Sequence, residues 1–225
     1  MLGMQNIFTV EQKTHSCSEL KMEKMRYASE FVDIIPKKNV LFAGISGSVS
    51  YEPAIGDDVD IFIIARRNHL WSVLLRAMIA RRSSNRKDIC LSLILDDRYA
   101  SSLYREGLTE LMKRDALHVI PLYGSEYYGH LLQSISRDGK SVYCIEPARS
   151  KERPEKLEIP GVLDILSFIF FAPFIFIKSI RRSHLDQKSV GMDGMFRTRI
   201  SHRYFYYDSE KYVKLSRQEQ EGEAR

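Results

Sequence analysis

Three short aliphatic runs limit most strongly what this chain can fold into: Asn39–Gly44 (NVLFAG), Val59–Ala65 (VDIFIIA) and Ile89–Leu95 (ICLSLIL). The first is apolar at consecutive positions between Lys37-Lys38 and a glycine turn, which reads as a strand buried on both faces. The other two read as strands from their length and branched aliphatic content. Between the second and third, His69–Ala80 places Leu70, Val73, Leu74, Ala77, Met78 and Ile79 at helical spacing, as in a helix that crosses back over a sheet. Ahead of them, Ser16-Cys17-Ser18-Glu19 has the Ser-x-x-Glu form of a capping box. Leu20, Met22, Met25, Ala28, Phe31 and Ile34 follow, predicting a helix that ends near Pro36. The order α, β, loop, β, α, β predicts an α/β (α+β) fold, a small mixed sheet of at least three strands flanked by helices.

Further on, helices are expected between Ala100 and His118, a turn at Val119–Gly124, a helix from about Glu126 to Ile135, and a last edge strand at Val142–Pro147. The charged stretch Arg149–Glu158, with Pro154, reads as a linker. Residues 1–148 are therefore taken as the main domain, and 149–225 as linker and helical C-terminal region. Within the latter, Gly161–Ile180 is strongly apolar, but its uninterrupted part, Ile165–Ile177, falls short of the roughly 20 residues that span a bilayer, and Pro173 interrupts it. It reads first as a packing helix; contact of 161–182 with a membrane surface is the second reading, and a true span the least favoured. From Ser209 on the chain is polar and expected to fray.

Composition narrows the class without naming it. With 225 residues, 44% hydrophobic, and 11 Phe and 12 Tyr to bury, the chain is not of the disordered type. A formal charge of +5 suits a polyanionic partner and equally an ordinary enzyme. Cys17, Cys90 and Cys144 are odd in number, far apart and lack CxxC spacing, so neither a disulfide framework nor a cysteine zinc site is suggested. His118, His130, His184 and His202 lack metal-ligand spacing. The first residues, with Glu11, Lys13 and His15, have no signal-peptide form, so the expected location is cytoplasmic.

The chemistry concentrates in Gly44-Ile45-Ser46-Gly47-Ser48-Val49-Ser50 followed by Asp57-Asp58-Val59-Asp60. Residues two apart on a strand share a face, so Asp58 and Asp60 project together. Two adjacent carboxylates make a hard-oxygen site of the kind that holds Mg²⁺ while leaving positions for water and phosphate oxygens. Gly47-Ser48 directly follows a buried strand where the chain turns into a short helix. Bare glycine backbone there admits a phosphate, and the Ser48 hydroxyl adds a donor. Loop and acid pair thus address two ends of one ligand, a metal-bound nucleoside triphosphate. The basic loop Arg81-Arg82-Ser83-Ser84-Asn85-Arg86-Lys87 reads as solvated, so nucleic acid is not favoured as a partner. Tyr204-Phe205-Tyr206-Tyr207 is expected to pack on the parent domain rather than stack bases. Ser50 has no His-Asp partners that would make it a nucleophile.

This arrangement resembles the nucleotidyltransferase superfamily that includes DNA polymerase β, in which a Gly-Ser motif is followed some ten residues on by Asp-x-Asp. More narrowly, Ile89-Cys90-Leu91 and Val119–Gly124 look like a group of stand-alone prokaryotic nucleotidyltransferase-domain proteins. The resemblance covers roughly residues 17–147, with Phe196–Val213 only weakly similar to that group's helical tail. It implies Mg²⁺-dependent transfer of a nucleoside monophosphate from an NTP to an unidentified acceptor, with Gly47 and Ser48 on phosphates and Asp58 and Asp60 as catalytic metal ligands. One departure stands out: active members usually carry a third carboxylate on a later strand, whereas ICLSLIL has Ser92 and no acid in its interior. Asp88, at the strand's start, is the best candidate by position for that catalytic role, ahead of Asp96 and Asp97. Without such an acid the acceptor lacks a base, which leaves a catalytically degenerate nucleotide-binding protein as the alternative.

Overall fold

The computed structural model describes residues 2–135, 161–189 and 196–209. The described chain is a mixed α/β structure, as the strand and helix patterning predicts. Its strands are β1 (Val40–Ser46), β2 (Val59–Ala65), β3 (Ile89–Asp96), β4 (Ile120–Tyr123), β5 (Phe196–Ile200) and β6 (Tyr204–Ser209). They form one six-stranded sheet in the order β4-β1-β2-β3-β6-β5. β2 and β3 run parallel, joined by the crossover helix α3 (Leu70–Ser83), and the other neighbours pair antiparallel.

The first helix, α1 (Leu2–Ile34), begins well before the capping box expected to start it. No proline stands between residues 2 and 34 to interrupt the backbone ladder, so Ser16 and Glu19 lie inside the helix. A second correction concerns Val119–Gly124, expected to be a turn. It contains β4, an edge strand on β1, with Pro121 opposite Gly44. A sheet edge is where a strand tolerates proline, because the missing N–H faces no neighbour. Gly124 closes the strand at φ 70°, and a Cβ there would lie 1.9 Å from the Leu41 carbonyl oxygen, so only glycine fits.

Two helical layers cover the sheet, as strands buried on both faces require. On one face, Ala43, Ile45, Ile61 and Ile63 pack with Ala28 and Phe31 of α1, Trp71 and Leu74 of α3, and Ile175 of α7 (Val162–Ser189). On the other, Phe42, Phe62 and Ile64 pack with α4 (Asp97–Ser102), the π-helical turn Leu103–Gly107, α5 (Glu110–His118) and α6 (Ser125–Ile135). Phe42 stacks on Tyr128 with centroids 4.3 Å apart, and the buried Tyr128 hydroxyl donates to the Ala116 carbonyl at 2.7 Å. The C-terminal region is helical through α7 and then supplies a β hairpin that its sequence pattern did not disclose. Phe205 is buried and Tyr204 lies 4.8 Å from the Tyr99 ring, so this aromatic run packs on the main domain as expected. The expected strand at Val142–Pro147 and the linker at 149–158 lie outside the described residues.

Helix α7 is fixed to α3 by an apolar and a polar contact. Phe168 meets Trp71 edge-on at 5.0 Å, and the buried Asp164 carboxylate accepts the Ser72 backbone N–H at 2.7 Å. Ser72 lies in the first turn of α3, where His69 provides no side-chain cap, so an α7 residue satisfies a donor that α3 leaves open. Burial pushes the Asp164 carboxyl up, and the bonds from Ser72 and Trp71 pull it back down. Asp164→Ala is expected to cost about 1–2 kcal/mol, read as a lower urea midpoint with unchanged slope. Among the described residues, no helix is long and apolar enough to cross a membrane.

Candidate functional site

The site forms where β1 ends. Gly47 leaves the strand at φ 68° and ψ −158°, a backbone region essentially reserved for glycine. The chain then makes one turn of helix, α2 (Ser48–Tyr51), which buries Val49 and Ser50. The Ser50 hydroxyl donates to the Gly47 carbonyl at 2.7 Å, a role that holds the turn and leaves no nucleophile.

The antiparallel register of β1 and β2 pairs Ser46 with Asp60. Gly47 is thereby laid over the acid: a Cβ on it would sit 2.3 Å from Asp60 Oδ2. Glycine is required here by the turn and by the carboxylate beneath it. The intervening loop is tied from two sides. The Asp57 carboxylate accepts the Ala54 N–H at 2.8 Å and the Ser48 hydroxyl, and these bonds hold it below the ordinary carboxylate range. From α1, the Lys21 ammonium donates to the carbonyls of Ser50 and Tyr51 at 2.9 and 3.0 Å, and the Lys24 ammonium to that of Asp57. Ser48, predicted as a phosphate donor, lies close enough to Asp57 to help hold that carboxyl down.

Asp58 is exposed at the end of the loop, while Asp60 is partly buried inside β2, on the sheet face of Phe62 and Ile64. Desolvation pushes the Asp60 carboxyl up to about 6; a hydrogen bond from the Cys90 thiol opposes this, and the charges of Asp58 and Asp57 add to it. Cys90 is in place because the parallel β2–β3 register sets it beside Asp60. Its own thiol is pushed up to about 12, first by burial and then by Asp60. It stays protonated at neutral pH and serves as a donor, not a nucleophile. Ser92 lies at a β3 bulge, its Oγ 3.4 Å from both the Ser46 Oγ and the Ile61 carbonyl oxygen.

The three acids weighed for the third carboxylate are placed differently. Asp88 is exposed just before β3; its carbonyl accepts the Val59 N–H at 2.8 Å, and its charge is not among those acting on Asp60. Asp96 is buried at the far end of β3, where it accepts the N–H groups of Tyr99 and Asn68 and caps α4. Asp97 accepts the Tyr127 hydroxyl. Gly47 is therefore laid against Asp60, Asp58 bears on Asp60 through its charge, and Ser48 lies by Asp57, while Asp88 stands exposed just before β3. Among the described residues, no group of three or more His, Cys, Asp or Glu forms a metal-binding set. The pair Asp58 and Asp60 nonetheless suits a divalent cation, since the charges acting on Asp60 are like charges that a cation would offset.

Two of the basic loop residues are not simply solvated. Arg86 donates to the Tyr27 carbonyl and to Glu30, both at 2.8 Å, and lies over the Tyr27 ring at 4.4 Å. Arg81 donates to the carbonyls of Arg86 and Lys87. Sequence reading missed Cys90, Lys21 and Lys24. Residue parity on β3 would have pointed to Cys90 only if the register against β2 were known. Comparison with known proteins gave no match to a family model, to a curated protein or to a solved structure.

Proposed function

We propose that the chain is a cytoplasmic, Mg²⁺-dependent nucleotidyltransferase of the DNA polymerase β-like type, moving a nucleoside monophosphate from an NTP to an acceptor. The observation that carries this reading is the seating of Gly47 over Asp60, where a Cβ would come within 2.3 Å of the carboxylate. With no side chain on Gly47 its backbone lies against a partly buried acid, so phosphate oxygens at the turn and a cation at the acid would be neighbours. Asp58 and Asp60 would hold the metal. Gly47 would admit the phosphates, and Ser48 would turn its hydroxyl from Asp57 to a phosphate oxygen. Bound Mg²⁺ supplies charge neutralisation at the reacting phosphate.

A second reading, nucleotide binding without turnover, is favoured by Cys90. The strand neighbour of Asp60 is a protonated thiol, which cannot accept a proton from an acceptor hydroxyl. Calorimetric titration of ATP, CTP, GTP and UTP into the wild type and into Asp58→Ala/Asp60→Ala, each with and without Mg²⁺, tests both readings. Metal-dependent binding is expected in the wild type and not in the double variant. Absence of binding by the wild type to all four at millimolar ligand would overturn both. Binding with no product from any acceptor screened would leave the second.

A further inference from the structure

Helix α7 presents two unlike faces. Inward, it buries Asp164, Ser167 and Ile175 and packs Phe168, Phe171 and Ala172 on the core. Outward, Leu163, Leu166, Ile169, Phe170, Phe174 and Ile177 are exposed, Phe170 by 69% and Phe174 by 58%. Their spacing of three and four residues makes one continuous stripe, a larger apolar surface than a single scattered side chain. Charge follows directly: Lys178 and Arg181 stand one helical turn beyond Phe174 and Ile177, with Arg182 next. Between Asp164, which is turned inward onto Ser72, and Asp186 the helix carries no Asp or Glu.

We infer that the outer face of α7 docks in the plane of an anionic phospholipid surface, its apolar stripe entering the headgroup boundary and its cations meeting lipid phosphates. The inward face is committed to α3, so the helix would lie along the surface rather than stand across it. Charge favours this occupant over a second copy of the chain, whose helix would set three cations, Lys178, Arg181 and Arg182, against the single acid Asp186 beside them. Anionic lipid phosphates can meet all three. The inference is independent of what the nucleotide site does.

Flotation of the full chain with vesicles of phosphatidylcholine, alone or mixed with phosphatidylserine, tests it. Recovery with the mixed vesicles and not with the neutral ones is expected. Phe170→Ser/Phe174→Ser should abolish recovery while leaving the circular dichroism spectrum unchanged, because both rings are exposed. Lys178→Gln/Arg181→Gln/Arg182→Gln should weaken partitioning about a hundredfold, at about fivefold per cation. No recovery with either vesicle, or equal recovery with both, would overturn the inference. So would a dimer in light scattering that Phe170→Ser/Phe174→Ser dissociates without any flotation, which would assign the face to a second copy.

Discussion

Gly47→Ala is expected to lower stability by about 3 kcal/mol and to remove Mg²⁺-dependent nucleotide binding. Two costs combine. At φ 68° and ψ −158° an L-residue is strained, and the added methyl would overlap Asp60 Oδ2 at 2.3 Å. The short Asp60 side chain has little reach with which to withdraw, since its own Cβ would be 3.2 Å from the new atom. Relief therefore requires moving the carboxylate away from its thiol partner or opening the turn. Gly56→Ala is the matched control: a Cβ there meets nothing within 4 Å, and the change should stay within about 0.5 kcal/mol. Guanidinium unfolding of the two variants side by side decides the matter. Equal midpoints would mean that Gly47 does not hold the conformation described.

Asp60→Asn should separate stability from ligand binding. The wild-type carboxyl is pushed up to about 6 from an ordinary 3.8, first by desolvation. Between those values the folded chain holds a proton that the unfolded chain has released. The associated stability is fully present below the lower value and lost as pH rises through the upper one. Above pH 6 the wild type thus carries a charge whose burial costs about 2–3 kcal/mol. Asn removes that charge, so the variant should melt above the wild type at pH 8 and converge with it near pH 4. Added Mg²⁺ should raise the wild-type melting temperature and leave that of the variant unchanged. A variant that melts below the wild type at pH 8 would show that the acid is not a burden on the fold. Tension of this kind between fold and ligand marks a carboxylate kept for what it binds.

Much of the architecture was readable because aliphatic runs as dense as VDIFIIA and ICLSLIL admit few alternatives, and the largely apolar helix between them reads as a crossover over the sheet. Reading failed where edge geometry overrode local preference: Pro121 and Gly124 signal a turn, yet an edge strand accommodates the first and its end needs the second. It failed again at β5 and β6, short strands whose pairing with β3 and with each other is a long-range matter that no local pattern encodes. At the site, Gly47, Ser48, Asp58 and Asp60 were visible as a spaced set. The contacts that place them were not: Ser48 to Asp57, Cys90 to Asp60, and the α1 lysines on the loop carbonyls all depend on register and helix docking.

The insertion of β6 against β3 also bears on the order of events during synthesis. Leu93, Ile94 and Leu95 find their partners in Tyr206, Phe205 and Tyr204, more than a hundred positions later. A nascent chain that has emerged only through α6 must carry the hydrogen-bonding edge of β3 open, with some of its most aliphatic residues beside it. Open apolar edges of this kind recruit other strands. The final hairpin therefore acts as a closing seam, and the interval before it arrives is when the chain most needs shelter from its neighbours.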